Sequence, residues 1–164
     1  MNYLLVGKIV NTHGIKGEVK LISGFERKDL VFKKDFNVYI GKNKEQQVIN
    51  SYRVHKNFDM ITFKNIVDIN EVLKYKNEFV YINRNDLNSN IILKDDFIGY
   101  SVIYMNKCIG ILDSFFSNKI YEIMVIKGEK KEYLVPYLDN FIEKICNDQK
   151  QIYIKKLEGL IDEN

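Results

Sequence analysis

Apolar and polar side chains alternate along most of this chain. The alternation runs over residues 4–10, 18–22, 36–40, 47–55, 60–63 and 79–82, and again over 101–104, 109–115, 123–126, 132–135, 141–145 and 151–155. Segments this short, about 8–12 residues apart with turn-forming residues between them, predict antiparallel strands built into small barrels or sandwiches. The expected fold class is all-β. One segment breaks the period of two. Asp68 and Glu71 stand at capping-box spacing, and Ile69, Val72, Leu73 and Lys76 follow at helical spacing. They predict a helix of about two turns that plugs a barrel end, with Asn77 as its left-handed C-cap.

Residues 83–96 interrupt the strand pattern with Arg84, Asn85, Asn88, Ser89, Asn90 and the charged run Lys94-Asp95-Asp96. A polar stretch of this length suits a linker better than a loop inside a compact domain. The chain is therefore read as two small β-barrels, residues 1–86 and 95–164, joined by a linker at 87–94. The charge balance changes sign at the same place. Residues 1–86 carry 15 basic and 10 acidic side chains, +5, and residues 87–164 carry 10 and 12, −2. A basic first unit and an acidic second one suit different partners.

Composition narrows the picture further. Ile 23, Lys 22 and Asn 18 against only 3 Arg are the mark of AT-rich coding, so a high Lys or Asn count carries no functional message by itself. No apolar run approaches the ~20 residues that span a bilayer. Met1 to Val10 holds an apolar patch, but Lys8 interrupts it and no small-residue cleavage site follows. Cys108 and Cys146 are too few for a disulfide framework. A soluble monomer of a reducing cytoplasm is expected, with no membrane contact.

Two basic features stand out. In the first, two predicted strands flank a loop containing His13, Gly14, Lys16 and Gly17. The glycines let the chain double back, leaving His13 and Lys16 at the tip. Gly14-Ile15-Lys16-Gly17 matches the GxxG loop of KH domains, but that loop joins helices and this one joins strands, so that reading is rejected. In the second, Arg53 and His55 share a strand face by alternation and Lys56 follows; such a face suits a phosphate backbone. The bland alternative for both is a solvated polar surface. Catalytic chemistry has little to build on. With only His13 and His55, no metal centre assembles, and no phosphate loop, dinucleotide fingerprint or nucleophile elbow is present. Cys108 and Cys146 lie in apolar strand patterns and are expected to be buried and inert. Pro136, the sole proline, is expected at a strand end or bulge.

Several blocks together resemble the ribosome maturation factor RimM family: HGIKGEV at 13–19, DFIG at 96–99, YLVP at 133–136 and EGL at 158–160, in order along nearly the whole chain. The resemblance implies an N-terminal six-stranded barrel like those of translation factors and reductases, followed by a C-terminal PRC-barrel. It implies a noncatalytic assembly factor, without cofactor or metal, that acts on the small ribosomal subunit precursor. Such a factor binds a head ribosomal protein of the S-nineteen family and supports head maturation and small-subunit rRNA processing. Gly14, Gly17, Gly99 and Pro136 fall in the family's structural motifs. Asn65 and Asn77 replace family glycines, and Phe97 replaces a leucine. Tyr121 and Glu122 stand where the family has Asn-Asp. Ile92 and Leu93 stand where many members carry an aromatic pair.

The expected partner surface is therefore Ile91, Ile92, Leu93 and Phe97, with Tyr121 nearby. The expected contacts to ribosomal RNA are His13, Lys16, Lys20, Arg53 and Lys56. About four phosphate contacts imply a log K against log salt slope of magnitude roughly 3–4. Two rivals are kept. A generic RNA-binding barrel predicts exposed aromatics on a basic groove. A flavin-type reductase barrel predicts a yellow protein.

Overall fold

The computed structural model describes residues 1–118 and 120–156. The chain divides into two units, Met1–Ile91 and Ile92–Asn164, and the division falls inside the polar stretch. EGL at 158–160 lies outside the described residues.

The first unit holds β1 (Tyr3–His13), β2 (Glu18–Ile22), β3 (Asn37–Ile40), β4 (Glu45–His55), β5 (Phe58–Phe63) and β6 (Phe79–Asn83). Their order is β1-β2-β5-β4-β3-β6, and β6 pairs back onto β1, which closes the barrel. The two 11-residue strands make closure possible. β1 shifts register between Leu5 and Gly7 and between Ile9 and Asn11, and β4 shifts between Ile49 and Ser51. Such bulges bend a strand and increase its twist, so one strand can serve two neighbours around a tight barrel. Val6, Ile9, Val19, Leu21, Ile49, Ile61 and Ile82 fill the interior.

The two ends of β5 are covered differently. Near its start, a single helical turn at Lys28–Val31 brings in Val31 and Phe32, both buried. The Phe32 ring lies 5.6 Å from Tyr52. Asp59, 3 % exposed, accepts from Tyr52 Oη at 2.5 Å and from Lys28 Nζ at 2.9 Å. Near the end of β5, the predicted helix is replaced by two 3₁₀ turns, Ile69–Glu71 and Leu73–Tyr75. The Asp68 carboxylate accepts from the Asn70 amide at 2.8 Å, not from Glu71. Val72 and Tyr75, three residues apart, are the buried pair; a spacing of three puts them on one side of a 3₁₀ turn. Tyr75 meets Phe63 edge-on at 5.9 Å and accepts from Gln47 Nε2 at 2.7 Å. Asn65 and Asn77 take the left-handed conformation, φ 66° and 69°.

The pairing of buried Asp59 with half-buried Tyr52 makes a prediction. Burial first, then the hydrogen bond to Asp59 and the charge of that carboxylate, push Tyr52 up to about 12 from its ordinary value of 10.0. The folded value lies above the unfolded one, so the stabilisation is complete below pH 10 and is lost as pH rises toward 12. Tyr52→Phe is expected to flatten that part of the stability–pH curve, read by denaturant melts across the window. An unchanged slope would sink the assignment.

The second unit holds β7 (Ser101–Tyr104), β8 (Lys107–Ser117), β9 (Glu122–Lys127), β10 (Glu132–Pro136), β11 (Ile142–Cys146) and β12 (Gln151–Ile154). They form one six-stranded sheet in the order β10-β9-β8-β7-β12-β11, with β12 parallel to β7. Its core is Phe97, Val102, Leu112, Met124, Ile126, Val135 and Ile152, with Tyr104 and Ile154 at the margin. Pro136 ends β10, the last strand on one side of the sheet, where its missing N–H breaks no ladder. The cysteine expectation is corrected. Cys108 is exposed and Cys146 half-buried. Gly110 pairs with Val102 and Cys108 with Ile103, so an extra residue sits in β8 and the alternation that would place Cys108 inside slips by one.

Candidate functional site

The two basic features of the sequence meet on one outer face of the first barrel. β1 and β2 place His13 opposite Glu18, β2 and β5 place Lys20 opposite Met60, and β4 and β5 place Arg53 opposite Met60 and His55 opposite Phe58. Gly14 and Gly17 turn the chain between β1 and β2 at φ 69° and 91°. Gly17 also backs onto the connection that follows β5: a Cβ there would lie 3.0 Å from Ile66 Cγ2. The Ile69 amide donates to the Ile15 carbonyl at 3.0 Å, which ties the loop down. Lys16 and Ile15 are left exposed, and Ile15 is an apolar tip at 78 % exposure. A surface hollow of about 340 Å³ is lined by His13, Gly14, Ile15, Lys16, Glu18 and Thr62.

The two imidazoles lie 5.6 Å apart, ring centre to ring centre. Lys20 Nζ sits 4.6 Å over the Phe58 ring. Met60 shares the outer face with Lys20 and Arg53 yet is fully buried, because the stems of long cationic side chains cover apolar surface. Desolvation, followed by the charges of Arg53, Lys56, His13 and Lys20, holds His55 below its ordinary value. The neighbouring cations add to desolvation in disfavouring the charged imidazole, and an arriving anion would offset their contribution.

Arg53 needs a correction as a free phosphate contact. Its Nε and Nη2 donate to the two oxygens of Glu18 at 2.9 and 2.7 Å. That pair is the largest cause holding Glu18 below the usual carboxylate range, with the charges of His13 and His55 adding to it. Lys16, Lys20 and Lys56 carry no carboxylate partner among the described residues.

The expected protein surface is corrected more deeply. Leu93 is 1 % exposed and Phe97 5 %. A 3₁₀ turn at Lys94–Phe97, in which Asp96 Oδ2 accepts from the Leu93 amide at 2.8 Å, delivers Phe97 to the core. Neither residue offers surface to a partner. Ile91 is half-buried, its carbonyl accepting from Arg84 Nη2 at 2.5 Å. Tyr121 is half-buried in a turn closed by Asn118, whose Oδ1 accepts from the Tyr121 amide at 2.9 Å. Ile92 is the exposed member, and Ile98 beyond the turn is exposed as well. Gly99 follows at φ 97°, its amide donating to the Leu112 carbonyl at 2.8 Å.

Sequence reading also missed an aromatic face. Phe79 is exposed and Tyr3 and Tyr81 are half-buried, all on the outside of β1 and β6. The available signal was the two-residue spacing of Phe79 and Tyr81 on one strand, with Val80 and Ile82 as the buried set.

Among the described residues, no three His, Cys, Asp or Glu side chains gather as a metal site, and no helix is long and apolar enough to cross a membrane. The model of the RimM N-terminal domain matches residues 4–87. A ribosome maturation factor RimM of Staphylococcus haemolyticus is 40 % identical over 96 % of this chain and 98 % of its own. Another, from an Exiguobacterium species, is 34 % identical over 99 % of each. The N-terminal domain of RimM from Thermus thermophilus aligns with 54 % of this chain and 96 % of its own at 14 % identity, with a TM-score of 0.46. A family model covering half the chain and relatives matching along all of it lead to one conclusion: the chain belongs to the ribosome maturation factor RimM family.

Proposed function

We propose that this protein is a noncatalytic assembly factor for the small ribosomal subunit. It works as a cytoplasmic monomer, without a cofactor. Its first barrel offers Lys16, Lys20 and Lys56, with His13 and His55 between them, to phosphates of ribosomal RNA. Its second unit holds a head ribosomal protein of the S-nineteen family through the exposed Ile92 and Ile98. Binding energy that favours one arrangement of the head shifts the population toward it, and no bond is broken. The observation that carries the reading is the meeting of both basic features on one face, in a chain whose relatives are ribosome maturation factors.

Copurification tests it. The tagged chain is expected to enrich small-subunit precursors over mature subunits, and Ile92→Glu with Ile98→Glu is expected to abolish capture of the S-nineteen-type protein while the fold persists. Equal recovery of mature subunits would argue against an assembly role. With Arg53 held by Glu18, three phosphate contacts remain, so the salt slope is expected at a magnitude of about 2–3. Glu18→Gln frees Arg53 and is expected to steepen the slope by about 1. A shallower slope in that variant would contradict the geometry.

A further inference from the structure

We propose that the outer face of β1 and β6 is a separate RNA contact that stacks the bases of a single strand. This goes beyond the function above, which places phosphates on the His13–Arg53 face and a protein on the second unit. The register sets Lys8 opposite Phe79 and Leu5 opposite Tyr81. The shift between Leu5 and Gly7 is what lets Leu5 and Lys8, three residues apart, both face outward. Leu5 is 54 % exposed and Phe79 45 %, where a merely solvated strand face would carry polar groups. Tyr3 braces the platform: its ring lies 6.5 Å from Tyr81 and 5.2 Å from Tyr39, edge-on to both.

Cations border these rings. Lys44 Nζ lies 4.1 Å from the Tyr81 ring centre and 5.6 Å from that of Tyr3, and Lys8 Nζ lies 5.4 Å from that of Phe79. Neither lysine has a carboxylate partner among the described residues. A cation–π contact at an exposed site is weak, so the ammonium groups are readily exchanged for phosphates and the ring faces are then open to bases. Two carboxylates flank β6. Asp86 follows its end, and its charge adds to burial in raising Tyr39; Glu78 precedes it, with its carboxylate turned toward Gly41. The phosphates belong on Lys8 and Lys44, the cations that stand over the rings.

A single RNA strand is the occupant whose chemistry uses both halves of the face. Its bases present flat π surfaces to Phe79 and Tyr81, and its phosphates meet Lys8 and Lys44. A duplex keeps its bases stacked inside and offers the rings nothing. An acidic peptide meets the charges and leaves the rings unused.

Fluorescence anisotropy of the full chain with fluorescein-labelled oligouridine tests the proposal, against an RNA duplex of equal length and against poly-glutamate. Oligouridine is expected to bind more tightly than either competitor. Tyr81→Leu and Phe79→Leu are each expected to weaken it about tenfold, and Tyr81→Phe to retain it. Lys44→Gln is expected to reduce the salt slope by about 0.7. Thermal melts of each variant confirm that the barrel is intact. Equal affinity for duplex or poly-glutamate would overturn the proposal, as would wild-type oligouridine affinity in a folded Tyr81→Leu, Phe79→Leu double variant. Such a failure leaves capture of the protein partner through Ile92 and Ile98 unaffected, because that capture is read on a different unit with a different ligand.

Discussion

Phe97→Ala is expected to melt the second unit at a markedly lower temperature, not to act as a clean binding variant. The ring is 5 % exposed and sits in the cluster of Val102, Leu112, Met124, Ile126, Val135 and Ile152, with Tyr100 edge-on at 5.4 Å. Truncating a buried phenylalanine removes its transfer free energy and leaves a cavity, together about 3–5 kcal/mol. For a unit of this size that corresponds to a fall of roughly 12–40 °C in its midpoint. Phe97→Leu keeps most of the volume and is expected to cost less than about 1.5 kcal/mol. Calorimetry of the full chain separates the outcomes: the Ala variant lowers one transition and leaves that of the first barrel in place. A variant that lost partner capture with both transitions unmoved would mean that Phe97 acts at the surface after all. Ile92→Glu carries the opposite expectation, since its side chain is 57 % exposed and its loss opens no cavity.

Phe97 also shows what the sequence could and could not convey. Alternation located every strand among the described residues, because a period of two is a property of the backbone and survives in a single chain. It erred wherever the backbone departed from that period. The extra residue in β8 moved Cys108 outward. Spacings of three and four between Ile69, Val72 and Leu73 suggested a helix, but the buried pair Val72 and Tyr75 obeys a period of three. Asp59 stands among apolar residues of β5, and nothing local reveals that Tyr52 and Lys28 satisfy it from elsewhere in the fold. The site divided the same way. The glycine turn and the cationic residues were legible as types. That Arg53 is bonded to Glu18, 35 positions away, is set by barrel registers that no local pattern contains. Leu93 and Phe97 are expected at the surface because, with Ile91 and Ile92, they form an apolar patch where the resembled family carries an aromatic pair, whereas a carboxylate from Asp96 folds the segment into a turn that points Phe97 inward.

Gly110→Ala is the second large effect, and it arises from backbone contact instead of cavity formation. A Cβ at Gly110 would lie 2.5 Å from the Lys127 carbonyl oxygen, 2.7 Å from its carbon and 2.9 Å from the Gly128 nitrogen. Gly128 returns the contact, since its own Cβ would lie 2.6 Å from the Ile109 oxygen. The two glycines therefore let β8 press its backbone onto the end of β9, where the Gly128 amide donates to the Lys131 carbonyl at 2.9 Å and starts the turn into β10. None of the atoms in the way is the end of a flexible side chain, so relief requires β8 and β9 to separate. Overpacking of this kind costs about 3 kcal/mol, near the upper end of the usual range, because the obstacle is main chain. Two comparisons isolate the cause. Gly24→Ala meets nothing within 4 Å and is expected to change stability by less than about 0.5 kcal/mol. Gly14→Ala also meets nothing, but at φ 69° it carries the left-handed penalty of about 1–2 kcal/mol, which falls on the first barrel. Denaturant melts read all three, and hydrogen exchange of the β8 and β9 amides localises the Gly110→Ala effect. A Gly110→Ala protein as stable as the wild type would show that the β8–β9 contact yields more easily than these distances allow.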